Sequence, residues 1–238
     1  MMDHPFKGFE ERYQAGLEAS ETGEATRRPP RFYNLLQLFK LAAPIRGATA
    51  EVGCYRGLSS YLLCHALKAE DAEFTGAGHH IVDSFEGLSP PTPEDEIAAK
   101  AAGRFNDTSV EHVRKTLQEF PDVAIFRGWA PETLQSLPEQ EYRFIHIDVD
   151  LYTPTLGCLE YFYPRLSRGG LIVVDDFGPW PSGGRYPGCS RAVNEFSEKH
   201  GVEFAALTTG NAFCIKRPPA KGGAGRKAAA RRRRMAGL

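Results

Sequence analysis

Four aspartates, arranged in two pairs, are the residues of this 238-residue chain whose type and spacing point most directly to chemistry. Asp148 and Asp150 close one β-rich run, and Asp175 and Asp176 close a second. The segment between the runs has the length and apolar spacing of one crossover helix, so the unit predicts two parallel strands. Their carboxyl ends then share one sheet edge, where open α/β sheets bind ligands. Four carboxylates gathered there repel each other unless a cation or hydrogen-bond donors compensate, which predicts a divalent metal site.

A glycine-containing loop between a strand and a helix is the second candidate site. Gly53 and Gly57 follow a short strand that ends near Glu51, and an amphipathic helix begins around Leu58. Glycines let the backbone approach a ligand closely, and a helix N-terminus offers free N–H groups. The spacing departs from the dinucleotide pattern G-x-G-x-x-G, since Tyr55 occupies the middle position, and there is no phosphate-loop lysine. We expect a nucleotide-like cofactor without a pyrophosphate, with Glu51 favouring an amine or sulfonium charge; a purely structural turn is the alternative.

Two more strand ends supply candidates for the same ligand. Asp83 closes the second predicted strand, where an acidic residue can accept both ribose hydroxyls, and Glu86 lies behind it. Trp129 follows the third strand, where an indole could stack on an adenine; core packing is the alternative. His79 and His80 are adjacent in a strand and face opposite ways, which argues against a shared metal.

The elements that must position these residues alternate between strands and helices. Five strands alternate with helices, and a β-hairpin ends the pattern. Helices are predicted over Asp107–Phe120, over a segment that begins at Pro131, and over Cys189–His200. The hairpin strands are predicted over Val202–Leu207 and Ala212–Ile215. This order predicts a single α/β domain over residues 31–217, beginning with a docking helix. We expect residues 1–30 to form an N-terminal extension that contains a short helix at best and belongs to a lid, and residues 218–238 to be a disordered basic tail.

Composition limits the class of protein. Apolar residues make up 42% and charged residues 25%, as in ordinary globular proteins. No apolar run reaches the roughly 18 residues of a membrane span, and the start lacks a basic flank and apolar core, so we expect a cytoplasmic protein with no membrane partner. The five cysteines are odd in number and form no C-x-x-C pair, which argues against a disulfide frame or a zinc site.

The net charge of −1 conceals an uneven distribution. From Lys216 onward there are nine basic residues and no acidic one. Arg231 to Arg234 could bind a polyanion, but there is no aromatic interleaving and no recognisable nucleic-acid module. The composition therefore favours a solvated tail over a nucleic-acid partner, and it leaves a homo-oligomer open.

Several motifs resemble, in order and spacing, those of the macrocin-type S-adenosylmethionine-dependent O-methyltransferases, a family that includes enzymes methylating deoxysugar hydroxyls on macrolides and aminocoumarins. The resemblance covers about residues 45–216, and Ile147 to Asp176 is its most specific part. The motifs are Glu51-x-Gly53-x-Tyr55-x-Gly57, Asp83-Ser-Phe-Glu-Gly-Leu, Ile147-Asp-Val-Asp-Leu-Tyr-x-Pro-Thr, Tyr163-Pro-Arg-Leu-x-x-Gly-Gly, Asp175-Asp-Phe-Gly and Arg191-Ala-Val-x-Glu-Phe.

The resemblance implies a fold, a cofactor and a set of site residues. The fold is the class I, Rossmann-like methyltransferase fold, with a seven-stranded, mostly parallel sheet and a C-terminal β-hairpin. A metal, usually Mg²⁺, is implied at Asp148, Asp175 and Asp176. Binding of S-adenosyl-L-methionine is implied at Glu51, Gly53, Tyr55, Gly57, Ser59, Asp83, Ser84 and Trp129.

The implied reaction needs a base for the acceptor hydroxyl. A cation held by carboxylates can coordinate a sugar hydroxyl and lower its pKa, and a nearby carboxylate can take the proton. Catechol-type enzymes place a lysine three residues past the first aspartate, but Leu151 is at that position here. Asp148 and Asp150 are therefore the candidate catalytic residues, and the sequence does not choose between them.

The predicted function is thus an S-adenosylmethionine-dependent and Mg²⁺-dependent O-methyltransferase acting on a hydroxyl of a small molecule, such as a sugar or a glycosylated natural product. One alternative is a non-catalytic module of the same fold with a polyanion-binding tail. Another is a nicotinamide-dependent oxidoreductase, which the loop spacing disfavours. Among single residues, His146 is either part of the site or a satisfied core histidine, and Arg191, Tyr152 and Tyr186 are candidates for substrate contact.

Overall fold

A mixed sheet runs through the molecule, whose computed structural model describes residues 7–97, 99–178 and 185–217. The predicted tail and part of the glycine-rich loop after Asp176 lie outside the described residues. The strands are β1 (Ala48–Val52), β2 (His79–Asp83), β3 (Ala124–Arg127), β4 (Tyr142–Ile147), β5 (Leu166–Val174), β6 (Ala205–Ala206) and β7 (Ala212–Ile215).

The strand order is β3-β2-β1-β4-β5-β7-β6. β1 to β5 are parallel to one another, and β7 is antiparallel to both β5 and β6. The predicted seven-stranded, mostly parallel sheet with a closing hairpin is therefore confirmed. Because the order reverses direction at β1 and β4, the carboxyl ends of these two strands mark the switch point where open α/β sheets bind ligands.

In the part of the chain that the structure describes, six α-helices cover the two faces of the sheet. The helix predicted over Asp107–Phe120 is shorter, and the segment after Pro131 forms a 3₁₀ helix, Glu132–Ser136, instead of an α-helix. The α-helices are α1 (Lys7–Ala19), α2 (Pro29–Ala42), α3 (Leu58–Glu70), α4 (Val110–Thr116), α5 (Tyr152–Arg165) and α6 (Pro187–His200).

Alternation along the strands divides the core into two clusters. Phe144 and Ile145 are adjacent in β4 and fully buried, yet they belong to different clusters, because successive strand residues face opposite sides. One cluster contains Phe39 of α2 and Leu62 of α3, and the other contains Phe162 of α5. Both faces of the parallel sheet are therefore covered, as in other α/β proteins.

The N-terminal extension holds a full helix that packs into the body. Tyr13 and Leu17 of α1 are buried in the same cluster as α2 and α3. A Cβ atom on Gly16 would lie 2.8 Å from Leu58 Cδ1 and 2.9 Å from Tyr61 Cδ1, so this glycine permits close contact between α1 and α3. Within the described ranges, no helix has the length and apolarity needed to cross a membrane.

Candidate active site

The strand ends at the switch point form one continuous edge. Asp148 N–H donates to Val52 O at 2.8 Å, and Asp175 N–H donates to Ile147 O at 2.8 Å. The ends of β1, β4 and β5 are thus joined in sequence by backbone hydrogen bonds. The predicted gathering of the two aspartate pairs at one edge follows directly from this pairing.

The turns that leave this edge are backbone-strained. Left-handed φ angles occur at Tyr55 (51°), Phe85 (57°), Asp150 (61°) and Asp176 (59°), which follow β1, β2, β4 and β5. A non-glycine residue in this conformation is uncommon, and such residues cluster at functional sites. Gly53 is also required by geometry, since a Cβ there would lie 1.9 Å from Asp148 O. The glycine loop and the aspartate loop are therefore in backbone contact.

A cavity of about 530 Å³ opens over this edge, a size suited to a small ligand. Its walls come from the turns after β1 to β5, from the turn before β7 and from the segment preceding α2, through Thr22, Thr26 and Arg28. Of the predicted cofactor positions, Glu51 and Gly57 lie outside the lining. The lining includes Gly53, Tyr55, Ser59, Asp83, Ser84 and Trp129, together with all four aspartates.

Asp83 holds the glycine loop in place. Its Oδ2 accepts from Cys54 N–H at 2.8 Å and Tyr55 N–H at 3.0 Å, and its Oδ1 accepts from Phe85 N–H at 2.7 Å. Glu86, expected behind Asp83, is turned away and lies 3.7 Å from the Arg127 guanidinium. Asp83 therefore shapes the loop as well as facing the cavity.

Glu51 is buried beneath the cavity and does not face it. Its carboxylate accepts from Ser60 Oγ–H and lies 2.7 Å from His146 Nδ1. His146 Nε2 in turn lies 3.6 Å from Asp175 Oδ1. Burial lowers the pKa of His146, but Asp175 and Glu51 outweigh it and hold that pKa well above its ordinary value. Glu51 is thus linked to the site through His146, whose other ring nitrogen faces Asp175.

Asp148 is common to two groups of ligating side chains. One group joins it to Asp150 and Asp176 and the other joins it to His146 and Asp175, with the ligand atoms of each group within 4.8 Å of one another. The predicted metal set of Asp148, Asp175 and Asp176 is thus divided, and Asp150 joins the all-oxygen group. The oxygen group fits a hard cation such as Mg²⁺, which prefers carboxylate ligands.

The electrostatics of the cluster show a deficit of positive charge. Burial raises the pKa of Asp148 well above its ordinary value, and Asp175 and Asp176 raise it further. Burial and the neighbouring Asp176 raise the pKa of Asp150 in the same way. These shifts mean that the ionised carboxylates are poorly compensated in the described residues, as expected for a site that receives a cation.

Arg31 and Asn211 complete the site, and sequence reasoning missed both. Arg31 Nη1 lies 3.4 Å from Asp175 Oδ2, and its Nη2 donates to Asp176 Oδ1 at 3.1 Å. Asn211 Nδ2 donates to Asp175 Oδ1. Asp175 is therefore surrounded by nitrogen donors, which explains why it stands apart from the oxygen group. Arg31 lies 144 positions before Asp175, and no local pattern links them.

Asp95 and Tyr186 are two further residues of interest. Asp95 is buried and accepts from Tyr152 N–H at 2.6 Å and Thr92 N–H at 2.7 Å, so it holds the start of α5 next to Asp150. Tyr186 lines the cavity with its hydroxyl buried and without a hydrogen-bond partner among the described residues. Tyr152 instead donates to Glu195 Oε2 outside the cavity, beneath the Arg191 guanidinium.

Solved structures define the fold class. The O-methyltransferase NovP superposes with a TM-score of 0.69 at 22% identity, over 87% of this chain and 89% of that one. CalS11, a calicheamicin methyltransferase, has a TM-score of 0.66 at 17% identity, over 90% and 94%. An O-methyltransferase from Bacillus cereus in complex with SAH has a TM-score of 0.53 at 15% identity, over 91% and 94%. The fold is that of the class I, Rossmann-like methyltransferases, as predicted.

Sequence comparison then gives the family. The family model "Macrocin-O-methyltransferase (TylF)" matches residues 26–214. The chain belongs to the macrocin-O-methyltransferase family, which confirms the predicted membership.

Three curated relatives are named as O-methyltransferases. The Streptomyces olivaceus 8-demethyl-8-(2,3-dimethoxy-alpha-L-rhamnosyl)-tetracenomycin-C 4'-O-methyltransferase is 29% identical over 68% of this chain and 62% of its own length. The Micromonospora griseorubida mycinamicin III 3''-O-methyltransferase is 27% identical over 66% and 63%. The Streptomyces niveus demethyldecarbamoylnovobiocin O-methyltransferase is 29% identical over 69% and 63%. The chain thus matches less than two thirds of the length of these relatives.

Proposed function

We propose that this protein is an S-adenosylmethionine-dependent O-methyltransferase that binds Mg²⁺ and methylates a hydroxyl of a sugar or glycosylated small molecule. One observation carries the proposal: Asp148, Asp150 and Asp176 meet around the same cavity as the Gly53 loop and Asp83. Family membership and the glycoside acceptors named for the curated relatives support the same reading.

The cofactor-binding side of the cavity is assigned to residues that already line it. Gly53 and Tyr55 would contact the methionine part, Asp83 the ribose hydroxyls and Trp129 the adenine. Asp83 keeps the Tyr55 backbone in its left-handed turn, so the loop is shaped before a ligand arrives. Preorganisation of this kind lowers the entropy cost of binding.

The metal is assigned to the oxygen group. Asp148 and Asp176 would hold it, with Asp175 oriented behind them by Asn211 and His146. When bound, S-adenosylmethionine supplies an electrophilic methyl group, and the metal supplies a Lewis acid that lowers the pKa of the acceptor hydroxyl.

Proton removal is assigned to Asp150. Asp148 belongs to both ligating groups, which favours a duty at the metal, whereas Asp150 belongs to the oxygen group alone and would take the acceptor proton beside the metal. A carboxylate beside the acceptor hydroxyl can take its proton during methyl transfer. Tyr186 would donate a hydrogen bond to the acceptor, because burial raises its pKa to about 12 and keeps its hydroxyl protonated.

Calorimetry with S-adenosylhomocysteine and mass spectrometry of methylated glycosides test the proposal. We expect binding by the folded protein, loss of binding in Asp83→Asn and loss of methyl transfer on chelation. Glu86→Gln is the matched control, since its side chain is exposed and paired with Arg127 outside the cavity. Absence of S-adenosylhomocysteine binding by the wild-type chain would reject the cofactor, and full activity in chelator would reject the metal.

A further inference from the structure

Arg31 brings a permanent positive charge from α2 into the carboxylate cluster. Its guanidinium contacts Asp175 and Asp176 with different nitrogens, at 3.4 Å and 3.1 Å, so one cation bridges two carboxylates. We infer that Arg31 is a built-in counter-cation, which neutralises Asp175 and Asp176 while no metal is bound and lowers the affinity of the cluster for a divalent cation. The inference rests on the metal site of the proposed function and adds a residue that controls its occupancy.

The geometry holds Arg31 in this position. Its Nε donates to Thr209 O at 3.3 Å, and the side chain of Asn34, one turn later in α2, donates to Thr209 Oγ1 at 2.9 Å. Gly210 leaves room for the guanidinium, since a Cβ there would lie 2.9 Å from Arg31 Nη2. Only 20% of the Arg31 side chain is exposed, so the charge is shielded from solvent and is fixed in the site.

The charge of Arg31 does not titrate away. Burial lowers the pKa of Arg31, but Asp175, Asp176 and Asp148 outweigh burial and raise it above its ordinary value. A guanidinium in this setting is always protonated. It therefore repels any second cation placed nearby under all conditions in which the protein is folded.

Arg31 and a divalent cation compete for Asp176. This aspartate contributes a carboxylate oxygen to the ligating group that it forms with Asp148 and Asp150. Its Oδ1 also accepts a hydrogen bond from Arg31 Nη2. A metal at that group must share or displace this ion pair. Arg31 thus compensates the charge of the two carboxylates when no metal is bound and makes the metal site weaker and more readily exchanged.

Binding of Mn²⁺ alone, followed by calorimetry and electron paramagnetic resonance, tests the inference without cofactor or acceptor. Nearby charges shift ionic equilibria by about one to three powers of ten, so we expect Arg31→Gln to bind Mn²⁺ about tenfold more tightly than wild type, or better. Arg31→Lys keeps the positive charge, so its affinity for Mn²⁺ should stay close to that of wild type. In chelator, Arg31→Gln should have a lower Tm than wild type. Saturating Mn²⁺ should raise the Tm of Arg31→Gln by more than it raises the Tm of wild type.

Asn34→Ala is the matched control, because it removes the other contact between α2 and Thr209 without changing charge. We expect its Mn²⁺ affinity to equal that of wild type. The inference is overturned if Arg31→Gln binds Mn²⁺ equally or more weakly, if Asn34→Ala also tightens binding, or if none of the variants binds Mn²⁺. Because S-adenosylhomocysteine binding is measured separately, these outcomes are distinct from a failure of the proposed methyltransferase activity.

Discussion

At the scale of single residues, the buried aspartates that the proposed reaction needs lower the stability of the fold. Asp150 is 7% exposed and has a raised pKa because burial and Asp176 disfavour its charged form. We expect Asp150→Asn to lower methyl transfer strongly and to increase stability in chelator by about 1 kcal/mol, or about 2–4 °C in Tm. Differential scanning calorimetry in EDTA, paired with activity assays, measures both effects.

The pH dependence of this stability difference has a definite sign. Asp150 in the unfolded chain titrates near its ordinary value of about 3.9, and its folded pKa lies higher. Below the unfolded pKa, Asp150 is protonated in both the folded and the unfolded state. Wild type and Asp150→Asn should therefore have similar free energies of unfolding there. Between the two pKa values the native state binds more protons, so wild type loses stability against Asn as pH rises. A difference that shrinks with rising pH would contradict the raised pKa.

Tyr186 offers a second test at this scale. We expect Tyr186→Phe to lower kcat/KM about tenfold, because an acceptor oxygen would lose its donor. The Tm should stay equal or rise, since the hydroxyl has no partner among the described residues. Tyr152→Phe is the control: its hydroxyl bonds to Glu195 outside the cavity, and catalysis should be unaffected. A similar loss in both variants would count against the assigned role.

At the scale of elements, the packing of α1 on α3 depends on Gly16. A side chain at this position would collide with Leu58 and Tyr61, so we expect Gly16→Leu to destabilise the protein by about 1–3 kcal/mol. Gly8→Leu lies in the same helix, where a Cβ would have no neighbour within 4 Å, and should be neutral or slightly stabilising through helix propensity. Chemical denaturation compares the two, and equal stabilities would show that α1 does not pack as described.

Which parts of the site could be predicted depends on how far apart its elements are in the chain. Asp148 and Asp175 belong to one strand-helix-strand unit, whose handedness and parallel pairing place them together without further knowledge. Glu51 is different, because its direction depends on pairing with His146 across β1 and β4, which a single strand does not reveal. Arg31 and Asn211 could not be found, since tertiary packing of α2 and β7 alone brings them to Asp175.

The type of an element was predictable where the hydrophobic pattern extended over many residues. The residues at which elements begin and end were harder to predict. The alternation of strands with helices predicted β1 to β5 and the second hairpin strand, Ala212–Ile215, whereas the first hairpin strand, predicted over Val202–Leu207, is only Ala205–Ala206. The α1 segment has mixed polarity, and its helix is stabilised by burial of Tyr13 and Leu17 against α3. Tertiary burial therefore supplied what local composition did not.

At the scale of the whole molecule, the charge distribution gives a prediction about the C-terminal residues. Residues 218–238 contain seven basic and no acidic side chains. Their deletion should leave S-adenosylhomocysteine binding and Tm unchanged and should abolish any retention on heparin at low salt. Loss of cofactor binding in the shortened chain would mean that the basic residues belong to the functional unit.

The order in which the chain is made gives the turn before β7 a further consequence. Asn211, which donates to Asp175, follows it by 36 positions, and Thr209, which accepts from Arg31, lies in the same turn. During translation, β1 to β5 are synthesised before either residue. A nascent chain at that stage carries its acidic cluster without Asn211 and without the loop that holds Arg31. Charge compensation at the site therefore depends on synthesis of the turn before β7, and a chain that stops before Thr209 contains the sequence of β1 to β5 but lacks the two residues that contact Arg31 and Asp175.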